Sequence, residues 1–265
     1  MSNAVAGAVA VHPDSPSSSH APEQSWRRIR PLIPKRLQPL LRGLRKRYQR
    51  IFLDLEEPYR SVFPYTQSHP VRQRSLVDLG RTIDRERIPG AIVECGVLDG
   101  GTAALMGWAT NASTPPRELH LFDAWEGLPE TTAEDGGDAA VWTGQVVGSP
   151  TRVRTIMDKL AVARSRIHVH RGWFDQTFPT VEVPQVALAH VDCDFYEPTR
   201  LCLEKWYPVL SPGGFMQFDD YAAFSGCQRA VDEFLALHPE LRLEAIGDGA
   251  KAYVLRKPTR TGPAL

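Results

Sequence analysis

The chain has little cysteine and no cysteine pattern. Cys95, Cys193, Cys202 and Cys227 are the only four in 265 residues, and none stands in CxxC spacing. That excludes a thiolate zinc cluster and a disulfide framework, and the four are expected as reduced residues of a cytoplasmic protein. No apolar run approaches the roughly 20 residues of a membrane span. The first ten residues are apolar but lack a charged start and a long apolar core, so no secretory signal is expected. GxGxxG is absent, which argues against a dinucleotide and hence against a nicotinamide oxidoreductase. No internal repeat is visible. Net charge is missing as well, since 31 basic residues balance 31 acids.

That balance hides a split. Trp26 to Arg50 carries ten Lys or Arg and no acid, leaving the rest of the chain acidic. Residues 1–25, rich in Ala, Ser, Pro and His, read as a disordered tail. Between Leu37 and Leu55, apolar residues recur at helical spacing with arginines between them. An amphipathic basic extension over 26–63 is expected, packing on the main domain or a sister subunit of a homo-oligomer. Peripheral contact of 26–50 with an anionic membrane surface is the alternative. Nucleic acid is not an expected partner, because the run lacks interleaved aromatics and is no recognition fold.

From residue 64 to 258, strand and helix signals alternate. Apolar strands are expected at Ala91–Gly96, Glu118–Asp123, Arg166–His170, Val186–Val191 and Phe215–Phe218, with helices between them. This predicts an α/β fold, a doubly wound and mostly parallel sheet. Leu241–Ile246 and Ala252–Leu255 flank Gly247-Asp248-Gly249 and predict an antiparallel C-terminal hairpin. Residues 124–150 hold five glycines and no periodic pattern, so a functional lid is expected there. Residues 259–265 are expected as a flexible tail.

Two features carry chemistry. The first is Glu94-x-Gly96-x-x-x-Gly100-Gly101, followed by Thr102, with Asp123 ending the next strand. Glycines permit a tight turn and close ligand approach. Glu94 could accept from a ligand ammonium, and an acid at Asp123 suits two ribose hydroxyls. An adenosyl ligand without a pyrophosphate suggests S-adenosylmethionine. The second feature is acidic. Asp192 and Asp194 leave one apolar strand, and Asp219 and Asp220 leave another. Parallel neighbours would bring all four to one sheet edge. Clustered carboxylates repel, and a hard divalent cation, Mg2+ or Ca2+ rather than zinc, resolves the conflict.

In order, Pro64-Tyr65-Thr66, Ile88-Pro89-Gly90, Val93-Glu94-Cys95-Gly96-Val97, Phe122-Asp123, Glu126-Gly127-Leu128-Pro129, Gly172-Trp173-Phe174, His190-Val191-Asp192-Cys193-Asp194 and Phe218-Asp219-Asp220-Tyr221 resemble the macrocin O-methyltransferase family. The resemblance runs from about Pro64 to Leu255. It implies a Rossmann-like class I methyltransferase that uses S-adenosylmethionine and Mg2+ on a sugar hydroxyl. It implies metal ligation by Asp192, Asp219 and Asp220, with Asp194 as general base beside Asp192. It implies donor contacts from Thr66, Glu94, Gly96, Gly101, Thr102 and Asp123, and an adenine pocket near Trp173 and Asp175. Leu98-Asp99-Gly100-Gly101 stands where members often carry Trp-Arg-Gly-Gly. A catechol-like acceptor would use the same metal logic. A binding protein on an inactive methyltransferase fold is the remaining reading.

Overall fold

The computed structural model describes residues 55–259 apart from Asp138, Asp248 and Ala250. The expected N-terminal tail, the expected basic helix up to residue 54 and the C-terminal tail from residue 260 lie outside the described residues. Among the described residues, no helix is long and apolar enough to cross a membrane.

The strands are β1 (Ala91–Cys95), β2 (Leu119–Asp123), β3 (Ile167–Arg171), β4 (Val186–Val191), β5 (Leu210–Phe218), β6 (Leu243–Ala245) and β7 (Tyr253–Arg256). They form a seven-stranded sheet in the order β3-β2-β1-β4-β5-β7-β6. β1 to β5 run parallel. β7 pairs antiparallel with both β5 and β6. Strand order reverses between β1 and β4, and every residue of both is buried. Helices cover both faces there, so apart from Glu94 and His190 these strands are apolar throughout rather than alternating. The reversal opens a crevice at their carboxyl ends, where ligands of such sheets bind.

The helices are α1 (Tyr59–Val62), α2 (Pro70–Arg85), α3 (Gly101–Ala109), α4 (Pro150–Lys159), α5 (Phe174–Thr177), α6 (Tyr196–Val209) and α7 (Ser225–Leu237). Successive strand residues face opposite sides. Ile92 and Leu188 enter one core with Leu76 and Ile83 of α2, Leu105 of α3 and Ile156 of α4. Val93 and Ala189 enter a second with Trp206 of α6 and Val231 of α7. Leu55, Tyr59 and Val62 belong to the first core. Residues 55–63, read from the sequence as extension, therefore pack with the helices of the sheet.

Two expectations shift. β5 starts at Leu210, not Phe215, because Ser211–Gly214 runs on as strand despite its turn-like composition. The hairpin forms, but its second strand lies inside, between β5 and β6.

The connection over 124–150 is tied to the body at both ends and in the middle. The Trp125 indole N–H and the Ser149 backbone N–H both donate to the Leu98 carbonyl, at 2.8 and 3.2 Å. In the middle, Thr132 and Asp135 form a capping box. Asp135 is buried, and its Oδ1 accepts the Tyr196 N–H at 2.6 Å, at the start of α6. The Ser225 hydroxyl, at the start of α7, donates to the Asp135 carbonyl at 2.8 Å.

Candidate active site at the carboxyl ends of the central strands

The turn after β1 is shaped by close packing. Gly96 has φ +86°, and a Cβ there would stand 1.9 Å from the Asp192 carbonyl oxygen. Only glycine lets β1 and β4 leave the sheet this close together. A Cβ at Gly101 would stand 2.8 Å from both Thr66 Cβ and the Tyr65 carbonyl oxygen. This glycine thus serves the Tyr65–Thr66 segment, a role that the ligand-approach reading of the sequence did not include. Thr66 and Thr102 are both buried here.

Asp123 ends β2 and accepts three backbone N–H groups. Val97 and Leu98 donate to Oδ2 at 2.8 Å each, and Trp125 donates to Oδ1 at 2.6 Å. The carboxylate holds the β1–α3 turn in shape. Beside it, the Gly172 N–H donates to the Asp123 carbonyl at 3.0 Å, which brings the half-buried Trp173 to the same edge. Asp175 lies further out, exposed on α5.

The acids gather at the ends of β4 and β5. Asp219 and Asp220 are buried, while Asp192 and Asp194 are half-buried. Asp194 has φ +61°, a left-handed conformation uncommon outside glycine. Burial, then the charges of Asp219, Asp220 and Asp194, push Asp192 well above the usual carboxylate range. Burial, then Asp220 and Asp219, does the same to Asp194. Burial and Asp219 raise Asp220. Asp219 alone goes down, because hydrogen bonding to His190 and the Arg72 charge overcome its burial.

Two partners of these acids were not assigned from the sequence. Arg72, on α2, donates to Asp219 Oδ2 at 2.5 Å and lies 4.0 Å from Asp220 Oδ1. Nothing in the local pattern of α2 marks it. His190 is wholly buried in β4, with Nδ1 2.7 Å from Glu94 Oε1 and Nε2 3.4 Å from Asp219 Oδ1. Burial works against its charge, but the bonds to Asp219 and Glu94 prevail and hold the ring at about 9. The available signal was a polar residue in an otherwise apolar strand, two before Asp192.

The residues fit a hard divalent cation. Donor atoms of His190, Asp192 and Asp219 lie within 4.8 Å of one another. Asp220 stands outside that trio, yet its Oδ2 is buried without a hydrogen-bond partner, which suits a ligand oxygen. Glu94 Oε2 is another buried oxygen without a partner.

A family model described as Macrocin-O-methyltransferase (TylF) matches residues 58–244. Among curated relatives, the 8-demethyl-8-(2,3-dimethoxy-alpha-L-rhamnosyl)-tetracenomycin-C 4'-O-methyltransferase of Streptomyces olivaceus is 31% identical over 159 residues, 58% of this chain and 60% of its own. The demethyldecarbamoylnovobiocin O-methyltransferase of Streptomyces niveus is 32% identical over 156 residues, 56% of this chain and 59% of its own. The match thus spans about 60% of the length of these relatives. The solved structure of the O-methyltransferase NovP superposes with a TM-score of 0.66 at 25% identity, covering 73% of this chain and 82% of that one. The calicheamicin methyltransferase CalS11 gives 0.63 at 20% identity over 96% and 99%, a likeness of fold.

Proposed function

The chain belongs to the macrocin O-methyltransferase family, and from that premise we propose that it methylates a sugar hydroxyl of a glycoside, natural product or surface glycan, using S-adenosylmethionine and Mg2+. The name of the Streptomyces olivaceus relative, a 4'-O-methyltransferase of a rhamnosyl-tetracenomycin, supports the acceptor class. The observation that carries the reading is the convergence of four carboxylates at the crevice, with Asp220 Oδ2 buried and unpartnered.

In this reading Asp192, Asp219 and Asp220 hold the cation. When bound, it lowers the pKa of an acceptor hydroxyl that is otherwise a poor nucleophile, and it orients that oxygen. Asp194 takes the acceptor proton at its carboxylate, which contributes roughly 10²–10⁴-fold for a placed base. Arg72 fixes Asp219 from the α2 side. Glu94, through its free Oε2, receives the ammonium of the donor. Asp123 keeps lone pairs for the ribose while it shapes the turn. Thr66, Gly96, Gly101 and Thr102 line that turn, and Trp173 and Asp175 flank the adenine side.

Near the acids, the half-buried rings of Phe224 and Trp142, the latter in the 124–150 segment, have centroids 6.2 Å apart, with the buried Phe195 ring behind Phe224 at 6.0 Å. Such a corner suits the apolar face of a sugar, and it favours a second reading, a catechol with the same two vicinal oxygens. Calorimetric titration of S-adenosylhomocysteine, with Mg2+ and then with chelator, tests the donor. Methyl-transfer assays with diol-bearing glycosides and with catechols then separate the acceptors. No binding of S-adenosylhomocysteine in either condition would overturn the enzyme reading.

A further inference from the structure

Glu94, His190 and Gln217 face one another in register across β1, β4 and β5. Asp219, two residues beyond Gln217, shares that face. The result is a continuous buried polar row through the centre of an apolar sheet. His190 sits in its middle, bonded to Glu94 at 2.7 Å and facing Asp219 at 3.4 Å. The Gln217 amide N–H lies 3.4 Å from the same Asp219 oxygen, and Ser75 of α2 donates to the Gln217 carbonyl at 2.8 Å. Glu94, His190 and Asp219 are each at most 1% exposed. The two ends of the row are unfinished: Glu94 Oε2 at one, and Asp220 Oδ2, beside Asp219, at the other. One end is the proposed donor site, the other the proposed cation site.

We propose that His190 is a positioning residue that couples the two sites, so that a cation at Asp219 tightens binding of the donor at Glu94. The coupling rests on the methyltransferase reading above. It works through order. Arg72 holds Asp219 Oδ2, but Oδ1 has only long contacts, 3.4 Å to His190 and to Gln217. A cation therefore fixes that oxygen, Oδ1 fixes the imidazole, and the imidazole fixes Glu94 with its unpartnered oxygen set for the ammonium. The part of the ordering cost met by the first ligand is not met again by the second. The row is buried among close-packed side chains, so a shift at one end is transmitted to the other rather than absorbed.

The test is a linkage measurement on the full chain. S-adenosylhomocysteine is titrated by calorimetry at saturating Mg2+ and with chelator, for wild type and His190→Asn. Asparagine is too short to reach both carboxylates. In wild type, Mg2+ should tighten binding roughly 5-fold or more, the lower range for coupled sites. By reciprocity, S-adenosylhomocysteine should tighten Mg2+ by the same factor. In His190→Asn both ligands should still bind, with the factor close to one. Two ligands that bind wild type independently would overturn the coupling and leave the methyltransferase reading standing. A variant that keeps the factor would overturn it as well. A variant that loses Mg2+ alone would overturn it in favour of His190 as a direct ligand. Wild type that binds no S-adenosylhomocysteine would remove both readings together. Should the variant not fold, 15N-histidine spectra of wild type decide. His190 ring signals that move with each ligand added alone support the coupling, and signals that stay fixed overturn it.

Discussion

Asp194 is placed at a cost. A non-glycine residue at φ +61° gives up about 1–2 kcal/mol of backbone energy. It does so beside three other acids, in a position that keeps it partly exposed while Asp219 and Asp220 are buried. A site that retains an unfavourable backbone and an unfavourable charge has a use for the carboxylate. Asp194→Asn tests that use cleanly, because asparagine tolerates the same conformation. Turnover should fall roughly 10²–10⁴-fold with S-adenosylhomocysteine affinity little changed. Near-normal turnover would move proton removal elsewhere. Gly96 is the complementary case, where backbone and not charge decides. Its alanine variant carries a Cβ 1.9 Å from the Asp192 oxygen and a strained φ. The combined penalty is about 2–5 kcal/mol, as overpacking and left-handed strain add. Denaturant titration should register that loss, and a cost under about 1 kcal/mol would mean that β1 and β4 part easily.

The elements were legible in the sequence where one signal dominates. β4 is found at its expected bounds, Val186–Val191, because an apolar run broken only by His190 has few alternatives. β5 was read short because Pro212, Gly213 and Gly214 look like a turn, and only pairing of Leu210 with Val186 reveals strand. The 124–150 connection was read as patternless. Its one local signature is Thr132-x-x-Asp135, the spacing of a capping box. The burial of Asp135 against α6 and α7 is tertiary and leaves no periodic trace. Asp135→Ala removes the acceptor of the Tyr196 N–H, with an expected cost of about 1–3 kcal/mol for an orphaned donor. Hydrogen exchange should quicken across residues 126–148, and KM for the acceptor should rise. Unchanged exchange would show that Leu98, through Trp125 and Ser149, holds the segment without Asp135.

At the scale of the whole molecule, the candidate site was legible as two acidic pairs but not as a network. Strand order makes the difference. Placing β4 between β1 and β5 sets His190 between Glu94 and Asp219, and no spacing in the chain encodes that neighbourhood. Arg72 arrives from a helix 147 residues away in sequence from Asp219. The assembled network ties stability to pH, and the sign follows from the proton count. His190 is raised from 6.5 to about 9 in the folded chain, so its contribution is complete below pH 6.5 and lost as pH rises through 9. Asp192, Asp194 and Asp220 are also raised, so the folded state again holds protons that the unfolded chain releases. Their contribution too declines as pH rises above the ordinary Asp value of 3.8. Asp219, lowered, runs the other way, its contribution present above 3.8 and lost on acidification. Metal-free protein should therefore lose stability from pH 6.5 towards 9. A cation among the same carboxylates replaces the proton as their counter-charge, so its stabilising effect should grow over that range. Thermal melts with chelator and with Mg2+ at each pH measure the gap directly. A gap that widens with pH supports cation binding at these acids, whereas a constant gap, or none, would place Mg2+ elsewhere or nowhere on this chain.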